Sequence, residues 1–158
     1  MLKKSLVLSS LSSALLFSVM AHADTSSATA NMNVKLTVQK ACTISMGDLD
    51  FGTQNSNAGD VSRTATGSVT CTKDTAYNIT AASNSGYNLS DTKGDKVSYA
   101  IYADANHQTN LSASVASTSG TGTGIAQPVN IYGVINGTSL QTAPVGDYTD
   151  KVTLTVNY

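Results

Sequence analysis

The sequence predicts an all-β protein with the architecture of a β-sandwich. Its 158 residues contain no glutamate and no tryptophan, whereas 42 positions are serine or threonine and 7 are tyrosine. Glutamate favours helices, while threonine, valine and tyrosine are favoured in strands. Alternating apolar and polar runs recur roughly every 8 to 20 residues between turns rich in glycine, asparagine and aspartate, which is typical of a sandwich.

The low charge argues against several classes of function. Asp, Glu, Lys and Arg make up 12% of the chain, and the formal net charge is -1. Proteins that bind nucleic acid or an anionic membrane carry basic patches. The sequence shows no such cluster, so we expect no nucleic-acid partner.

Residues 1–23 have the features of a secretory signal peptide. Two lysines form a basic start, residues 6–20 form an apolar stretch diluted by serines, and Ala21 and Ala23 provide small residues for a cleavage site. We expect residues 6–20 to be helical. Because this stretch is too short and too serine-rich to span a membrane, the mature chain is predicted to begin at Asp24 and to be exported without membrane insertion.

The mature chain contains two cysteines, Cys42 and Cys71. In an exported protein such a pair normally forms a disulfide, and this one would close a loop of 29 residues. The alternatives are a metal-binding pair or a catalytic thiol, and both require nearby imidazole. Since the mature chain has only His107, we predict the disulfide, with the two cysteines on neighbouring strands.

Alternation predicts the strands one by one. Residues 28–38 alternate strictly and indicate a long strand with one buried face. The run continues to Cys42 and Ile44 after a change of phase at Lys40, so the alternative is two strands in series. Residues 97–102 are almost continuously apolar, which predicts a strand buried on both faces. The segment 103–127 is expected to be mostly loop, and no helix is expected in the mature chain. The other strands are predicted at residues 64–72, 77–81, 87–89, 129–135 and 148–158.

Two further features concern the loops and the final strand. Residues 47–59 read as a polar loop that Leu49 and Phe51 attach to the core, and Asn136-Gly137 is expected to form a turn. The final strand is expected to point its even-numbered side chains inward: Val152, Leu154, Val156 and Tyr158.

Catalytic chemistry has little support in the sequence. A Ser-His-Asp arrangement would depend on His107, and no feature of the sequence identifies a serine that would act as the nucleophile beside it. Asp48 with Asp50, or Asp147 with Asp150, could act as paired carboxylates, but both pairs lie at turns where Asp usually bonds local backbone. We therefore expect no enzyme activity, no catalytic or metal-binding residues and no cofactor.

Four blocks of the chain carry a resemblance to a known family. They are Cys42-Thr-Ile44, Gly67-Ser-Val69-Thr-Cys71, the run from Val97 to Asp104, and the run from Gly146 to Tyr158. This pattern resembles the spore coat protein U domain, found in the pilin subunits of archaic chaperone-usher pili. The most specific part is the terminal Gly-Asp-Tyr-x-Asp block with the alternating strand that follows it.

The resemblance implies an incomplete immunoglobulin-like β-sandwich that lacks its last strand and is completed by a donor strand from a neighbouring subunit, an established case of β-strand addition. It divides the mature chain into a donor extension, residues 24–36, and a pilin domain, residues 37–158. The C-terminal strand would border the acceptor groove. The donor side chains would be Ala28, Ala30, Met32, Val34 and Leu36.

The resemblance also implies partners and a location. The partners are a periplasmic chaperone, an outer-membrane usher and copies of the same or related pilins, and the location is a cell-surface pilus reached through the periplasm. Head-to-tail pairing of an unpaired edge with a spare strand does not close, so it generates a fibre. We therefore expect a structural shaft subunit that supports adhesion or biofilm formation. The alternative is a monomeric secreted β-sandwich binding module.

Overall fold

The computed structural model describes residues 26–114 and 118–158. This part of the chain is nearly all-β, as predicted, with nine strands and one short helix. The elements are β1 (Cys42–Met46), β2 (Val61–Cys71), β3 (Ala76–Ser83), β4 (Asn88–Ser90), β5 (Lys96–Ser98), β6 (Ala100–Tyr102), β7 (Thr118–Thr121), β8 (Gln127–Ile135), α1 (Gly137–Gln141) and β9 (Val152–Asn157).

The chain divides into two compact units, residues 1–36 and 37–158. In the described part of the first unit, Met32, Val34 and Leu36 are 84%, 81% and 86% exposed. The strand predicted at residues 28–38 is not formed, because a strand needs a hydrogen-bonded neighbour and these residues have none in the described chain. The helix predicted at residues 6–20 lies outside the described residues.

The second unit is a sandwich of antiparallel sheets. One large sheet has the order β1-β2-β8-β6 and the other has the order β7-β3-β9, while β4 and β5 form a separate pair. Side chains of both large sheets meet in a common interior, where Ile101 and Ile131 of the first sheet join Ala81 of the second. The predicted sandwich is therefore present.

The segment predicted to be buried on both faces is built differently. It forms two short strands, β5 and β6, separated at Tyr99, and β5 pairs with β4 whereas β6 pairs with β8. Val97, Tyr99 and Ile101 are buried, and Lys96 and Ser98 are exposed. The prediction of double burial was wrong, because the chain changes its pairing partner here and buries a single face.

Two elements were missed by the sequence patterns. Strand β7 lies in the segment expected to be loop, and its Gly120 is covered by Tyr77: a Cβ at Gly120 would lie 2.5 Å from the tyrosine hydroxyl oxygen. Helix α1 replaces most of the turn expected at Asn136-Gly137, and the N–H of Gly137 donates to Asp60 Oδ1 at 2.9 Å. Both elements depend on long-range contacts rather than on periodicity.

The predicted disulfide joins β1 to β2. Cys42 lies directly opposite Cys71 in the ladder, and the two are bonded with a Cα–Cα distance of 4.1 Å. This distance is slightly below the usual range of roughly 4.4–6.8 Å. At the adjacent pair the N–H of Thr72 donates to Ala41 C=O at 2.9 Å, so the cysteines occupy a non-hydrogen-bonded position, where facing Cα atoms are closest.

The loop between β1 and β2 is attached to the core as expected. Phe51 is buried, and Leu49 packs against the same hydrophobic cluster. Both side chains occupy space that Gly133 of β8 leaves open, since a Cβ there would lie 2.5 Å from Leu49 Cδ2 and 2.9 Å from Phe51 Cζ.

Candidate functional site

The two large sheets approach each other along one open boundary. Strand β1 is the edge of the first sheet and β9 is the edge of the second. Cα atoms of β1 and β9 come within 8 Å of each other, yet within the described residues no backbone ladder joins them. We call this boundary the β1–β9 seam.

Apolar side chains line both sides of the seam. Along β1 and β9 half-buried and exposed residues alternate. The half-buried positions pack against the interior clusters but stay partly open to solvent, which distinguishes them from the closed core. Besides Cys42, they are Ile44, Met46, Val152, Leu154 and Val156. Tyr158, expected to face inward, lies beyond the end of β9 and is 56% exposed.

The backbone of β9 offers hydrogen-bonding groups to the seam. The N–H of Asn84 donates to Lys151 C=O at 3.0 Å, and these residues are direct partners in the continuation of the β3–β9 ladder. Hydrogen-bonded pairs alternate along an antiparallel ladder, so residues 153, 155 and 157 bond β3. The N–H and C=O groups of Val152, Leu154 and Val156 therefore point toward the seam.

The same alternation applies to β1. The N–H of Gly47 donates to Thr66 C=O at 3.0 Å, and the N–H of Thr72 donates to Ala41 C=O. Ala41 and Gly47 are an even number of residues apart, so both belong to the alternating set that bonds β2. The backbone groups of residues 42, 44 and 46 therefore turn away from β2. The seam thus combines apolar side chains with two rows of open backbone donors and acceptors, the features of an edge that can accept a further strand.

A cavity of about 600 Å³ opens along the seam and is lined by Met46, Tyr99, Asp150, Val152 and Leu154, among others. A second cavity of about 1120 Å³ shares part of its lining with the first. The shared residues are Leu49, Asp50, Phe51, Leu89 and Tyr148. The two cavities therefore lie next to each other, near the start of β9.

Polar residues line the first cavity together with the apolar ones, and Asp150 is among them. Asp150 Oδ2 accepts hydrogen bonds from Ser83 Oγ and from the Tyr99 hydroxyl, both at 2.6 Å. Its Oδ1 accepts the N–H of Lys151 at 2.7 Å. The carboxylate therefore links β3, the junction between β5 and β6, and the start of β9.

Burial and hydrogen bonding fix the protonation states of Asp150 and Tyr99 at neutral pH. Burial alone would raise the pKa of Asp150, but hydrogen bonds from its neighbours, chiefly Ser83 and Tyr99, lower the pKa below its ordinary value. Burial and the Asp150 carboxylate together raise the pKa of Tyr99 far above its ordinary value. At neutral pH Asp150 is therefore an anionic acceptor and Tyr99 a neutral donor.

The residues weighed for catalysis lie apart from each other or serve local structure. His107 Nε2 lies 3.4 Å from Ser62 Oγ, and the imidazole packs between Tyr102 and Tyr132. The nearby Asp104 carboxylate accepts backbone N–H groups of its own loop. Among residues 26–114 and 118–158, no hydrogen bond joins a carboxylate to the His107 ring, so the orienting group of a triad is not in place there.

The aspartate pairs have separate roles. Asp50 Oδ1 accepts the N–H of Gly52 at 2.7 Å, as expected for a turn. Asp150, also assigned to a turn by its sequence, instead joins three distant segments. Within residues 26–114 and 118–158, no group of three or more His, Cys, Asp or Glu side chains could hold a metal ion. In that same part of the chain, no helix has the length and apolar character to cross a membrane.

Sequence reasoning found one side of the seam and missed the other. It identified the inward face of β9 but did not assign Ile44 and Met46 of β1 to the groove. The even numbers of Cys42, Ile44 and Met46 place all three side chains on the same face of a strand, and this pattern could have identified them. The partners of Asp150 gave no signal, because Ser83 and Tyr99 lie far from it in sequence.

Comparisons with known proteins agree with this architecture. A family model described as Spore Coat Protein U domain matches residues 28–155. Among solved structures, a similar chain belongs to the crystal structure of the CsuC–CsuE chaperone–tip adhesion subunit pre-assembly complex from archaic chaperone-usher Csu pili of Acinetobacter baumannii. The comparison with curated proteins gives no significant match.

The structural likeness has a TM-score of 0.53 at 20% sequence identity, and it covers 77% of this chain and 40% of the other chain. The present chain thus spans less than half the length of that protein. At this level of identity the likeness is one of fold.

Proposed function

The chain belongs to the Spore Coat Protein U domain family, and from this membership we propose that it is a structural shaft subunit of a chaperone-usher pilus. Its fold is an incomplete immunoglobulin-like β-sandwich in which β9 is an edge strand, paired with β3 on one side only. The observation that carries the proposal is the β1–β9 seam, where apolar side chains and open backbone groups lie along the same two strands. The subunit polymerises by donor-strand exchange at this seam.

The acceptor edge is β9. A strand added beside it would bond the free N–H and C=O groups of Val152, Leu154 and Val156 and would cover their half-buried side chains. Hydrogen-bonded strands lie about 4.8 Å apart, so a strand between two edges needs about 10 Å. Because Cα atoms of β1 and β9 come within 8 Å, the two edges must move apart when the strand enters.

The donor is the N-terminal extension, residues 24–36, of a neighbouring copy. Its large apolar side chains, Met32, Val34 and Leu36, are exposed. Burying these three would contribute roughly 5–9 kcal/mol before the entropic cost of ordering the segment. The intervening polar residues would stay outside, since side chains alternate across a strand.

The division of the chain at residues 36 and 37 supports a donor extension ahead of a pilin domain, residues 37–158. Residues 1–23 are the signal peptide in this scheme, so the subunit reaches the cell surface through the periplasm. A periplasmic chaperone covers the seam first, and at an outer-membrane usher the donor of the next subunit replaces it. The contact is heterologous and open-ended, so repetition gives a fibre that supports adhesion or biofilm formation.

Self-complementation tests the proposal. A copy of residues 25–38 is appended after Tyr158 through a short flexible linker, and the same insert carrying Val34→Asp serves as the control. We expect the first protein to be a stable monomer with reversible unfolding, and the control and the unmodified mature chain to be unstable or self-associating. A monomeric unmodified chain that gains nothing from the insert would favour the secreted binding module instead.

A further inference from the structure

Asp150 lies where the chain passes from one sheet to another. The preceding Thr149 exchanges both backbone hydrogen bonds with Ser90 of β4, at 2.9 and 3.0 Å. The following Lys151 accepts the N–H of Asn84, which comes just after β3. The residue between these two pairings therefore sets the direction in which β9 starts.

The groups that bind the carboxylate are themselves fixed. Ser83 Oγ also accepts the N–H groups of Ser85 and Tyr87, at 3.1 and 2.7 Å. Tyr99 is buried, its N–H donates to Tyr87 C=O at 3.0 Å, and its ring packs edge-on against that of Tyr87 at 5.9 Å. Further hydrogen bonds and ring packing thus hold the two hydroxyl donors of the carboxylate in place.

Strand β9 needs such an anchor because only one of its edges is paired. The β3 ladder holds one side, while the other side faces the seam. A shift of one residue would turn every side chain of the strand to the opposite face. Asp150 lines the same cavity as Val152 and Leu154 and lies two residues before Val152, so it is placed to fix the phase of the acceptor strand.

We propose that Asp150 is a positioning residue for strand addition: through Ser83 and Tyr99 it holds the start of β9 so that Val152, Leu154 and Val156 present their side chains and free backbone groups to the incoming strand. This inference rests on the proposed function. It assigns the cluster a role in binding the donor strand, beyond its contribution to the stability of the domain.

The first measurement is amide hydrogen exchange in the self-complemented chain. Tyr99→Phe should accelerate exchange at the seam amides, those of Val152, Leu154 and Val156, about tenfold relative to the amides of Val69 and Ile131 in the other sheet. The size follows from losing one hydrogen bond to a charged group.

The matched control is Leu111→Val, a substitution of a buried core residue that lines neither cavity. It should lower the melting temperature while changing exchange at the seam amides and the reference amides by the same factor. Asp150→Asn keeps an acceptor oxygen for both hydroxyls. Its seam amides should therefore exchange at rates between those of the unsubstituted chain and those of Asp150→Ala.

The second measurement is binding of a labelled peptide of residues 25–38 to the full mature chain carrying Val34→Asp, whose own donor segment is disabled. Tyr99→Phe should raise the half-saturating peptide concentration about tenfold, and Leu111→Val should leave it within twofold.

Two outcomes are distinguishable from each other. If Tyr99→Phe and Leu111→Val change the seam amides and the peptide affinity alike, the positioning role is overturned and the proposed function stands. If the added strand fails to protect the seam amides even in the unsubstituted chain, the proposed function is overturned and the inference with it.

Discussion

Leu154 of β9 lies directly opposite Ala81 of β3, and the two differ in environment: Ala81 is fully buried, whereas Leu154 remains partly exposed to solvent. The small alanine sits in the closed interior, and the large leucine sits at the seam. One side of β9 is therefore paired with β3, and the other side presents apolar surface and backbone groups that no strand covers within the described residues.

Substitutions on β9 should separate its two faces. Leu154→Asp would place a carboxylate beneath the added strand and should lower the stability of the self-complemented chain by several kcal/mol, because an unpaired charge is costly to bury. Thr155→Asp, on the exposed face of the same strand, should change the stability of the self-complemented chain by less than about 1 kcal/mol. Urea unfolding of both variants checks this. Equal losses would contradict the assignment of the inward face.

The donor segment should show the same alternation. If the proposed donor role is correct, Val34→Asp should abolish fibre formation, because it would place a carboxylate in the neighbouring seam, whereas Asn33→Asp should leave fibres nearly intact. Electron microscopy of cells expressing each variant provides the measurement. Normal fibres from Val34→Asp, or from a chain lacking residues 24–33, would reject the donor role.

The disulfide should stabilise the strand that forms the other side of the seam. Replacing Cys42 and Cys71 together by Ala opens a loop of 29 residues, which costs roughly 3–4 kcal/mol on the chain-entropy model. Urea unfolding of the self-complemented chain should show this loss. Unchanged stability would mean that β1 is held by its ladder and side chains alone.

The sequence predicted elements that depend on periodicity. Strands β3 and β9 and the disulfide between β1 and β2 follow from alternation and cysteine spacing, and all three are present. Patterns failed where pairing decided the outcome. The apolar run through Tyr99 is two strands that belong to different sheets, and β7 has no alternation of its own.

The candidate site, like the fold, could be predicted from the sequence only in part. One side of the seam followed from the even phase of β9, because alternation reports which face is apolar. It does not report which edge lacks a neighbour, so Ile44 and Met46 of β1 were not assigned to the groove. The bonds between Asp150 and Tyr99 cross 51 residues, and no local pattern encodes such a contact.

Gly67 should be required for the close pairing of β1 with β2. A Cβ at this position would contact the carbonyl oxygen of Ser45 and lie 2.9 Å from Met46 Cα, so the backbone of β1 would have to shift. Gly67→Ala should therefore destabilise the self-complemented chain by about 1–3 kcal/mol. Gly59→Ala is the control, since a Cβ there meets no atom within 4 Å. Similar melting temperatures for the two variants would contradict this packing.

The Asp150 cluster should govern part of the acid stability. The pKa of Asp150 is lowered in the folded protein from its ordinary value of 3.8 by hydrogen bonds that outweigh the effect of burial. A group with a depressed folded pKa contributes stability that is present above its unfolded pKa and is lost as the pH falls through the folded pKa. The self-complemented chain should therefore keep this contribution at pH 5 to 7 and lose it progressively below about pH 4.

Tyr99→Phe removes one of the two hydroxyl donors to Asp150 Oδ2, leaving Ser83. The pKa of the carboxyl group should rise toward its ordinary value, and the acid midpoint of unfolding should move to higher pH. Circular dichroism between pH 7 and pH 2 measures the midpoint, and NMR titration of the Asp150 carboxyl carbon measures the pKa directly. Tyr102→Phe is the control, because that half-buried tyrosine packs against His107, away from the cluster. The other carboxyl groups titrate in both variants, so the difference between the two midpoints reports on Asp150. Coinciding midpoints, or an unchanged Asp150 pKa in Tyr99→Phe, would show that the tyrosine hydroxyl does not stabilise the ionised carboxylate.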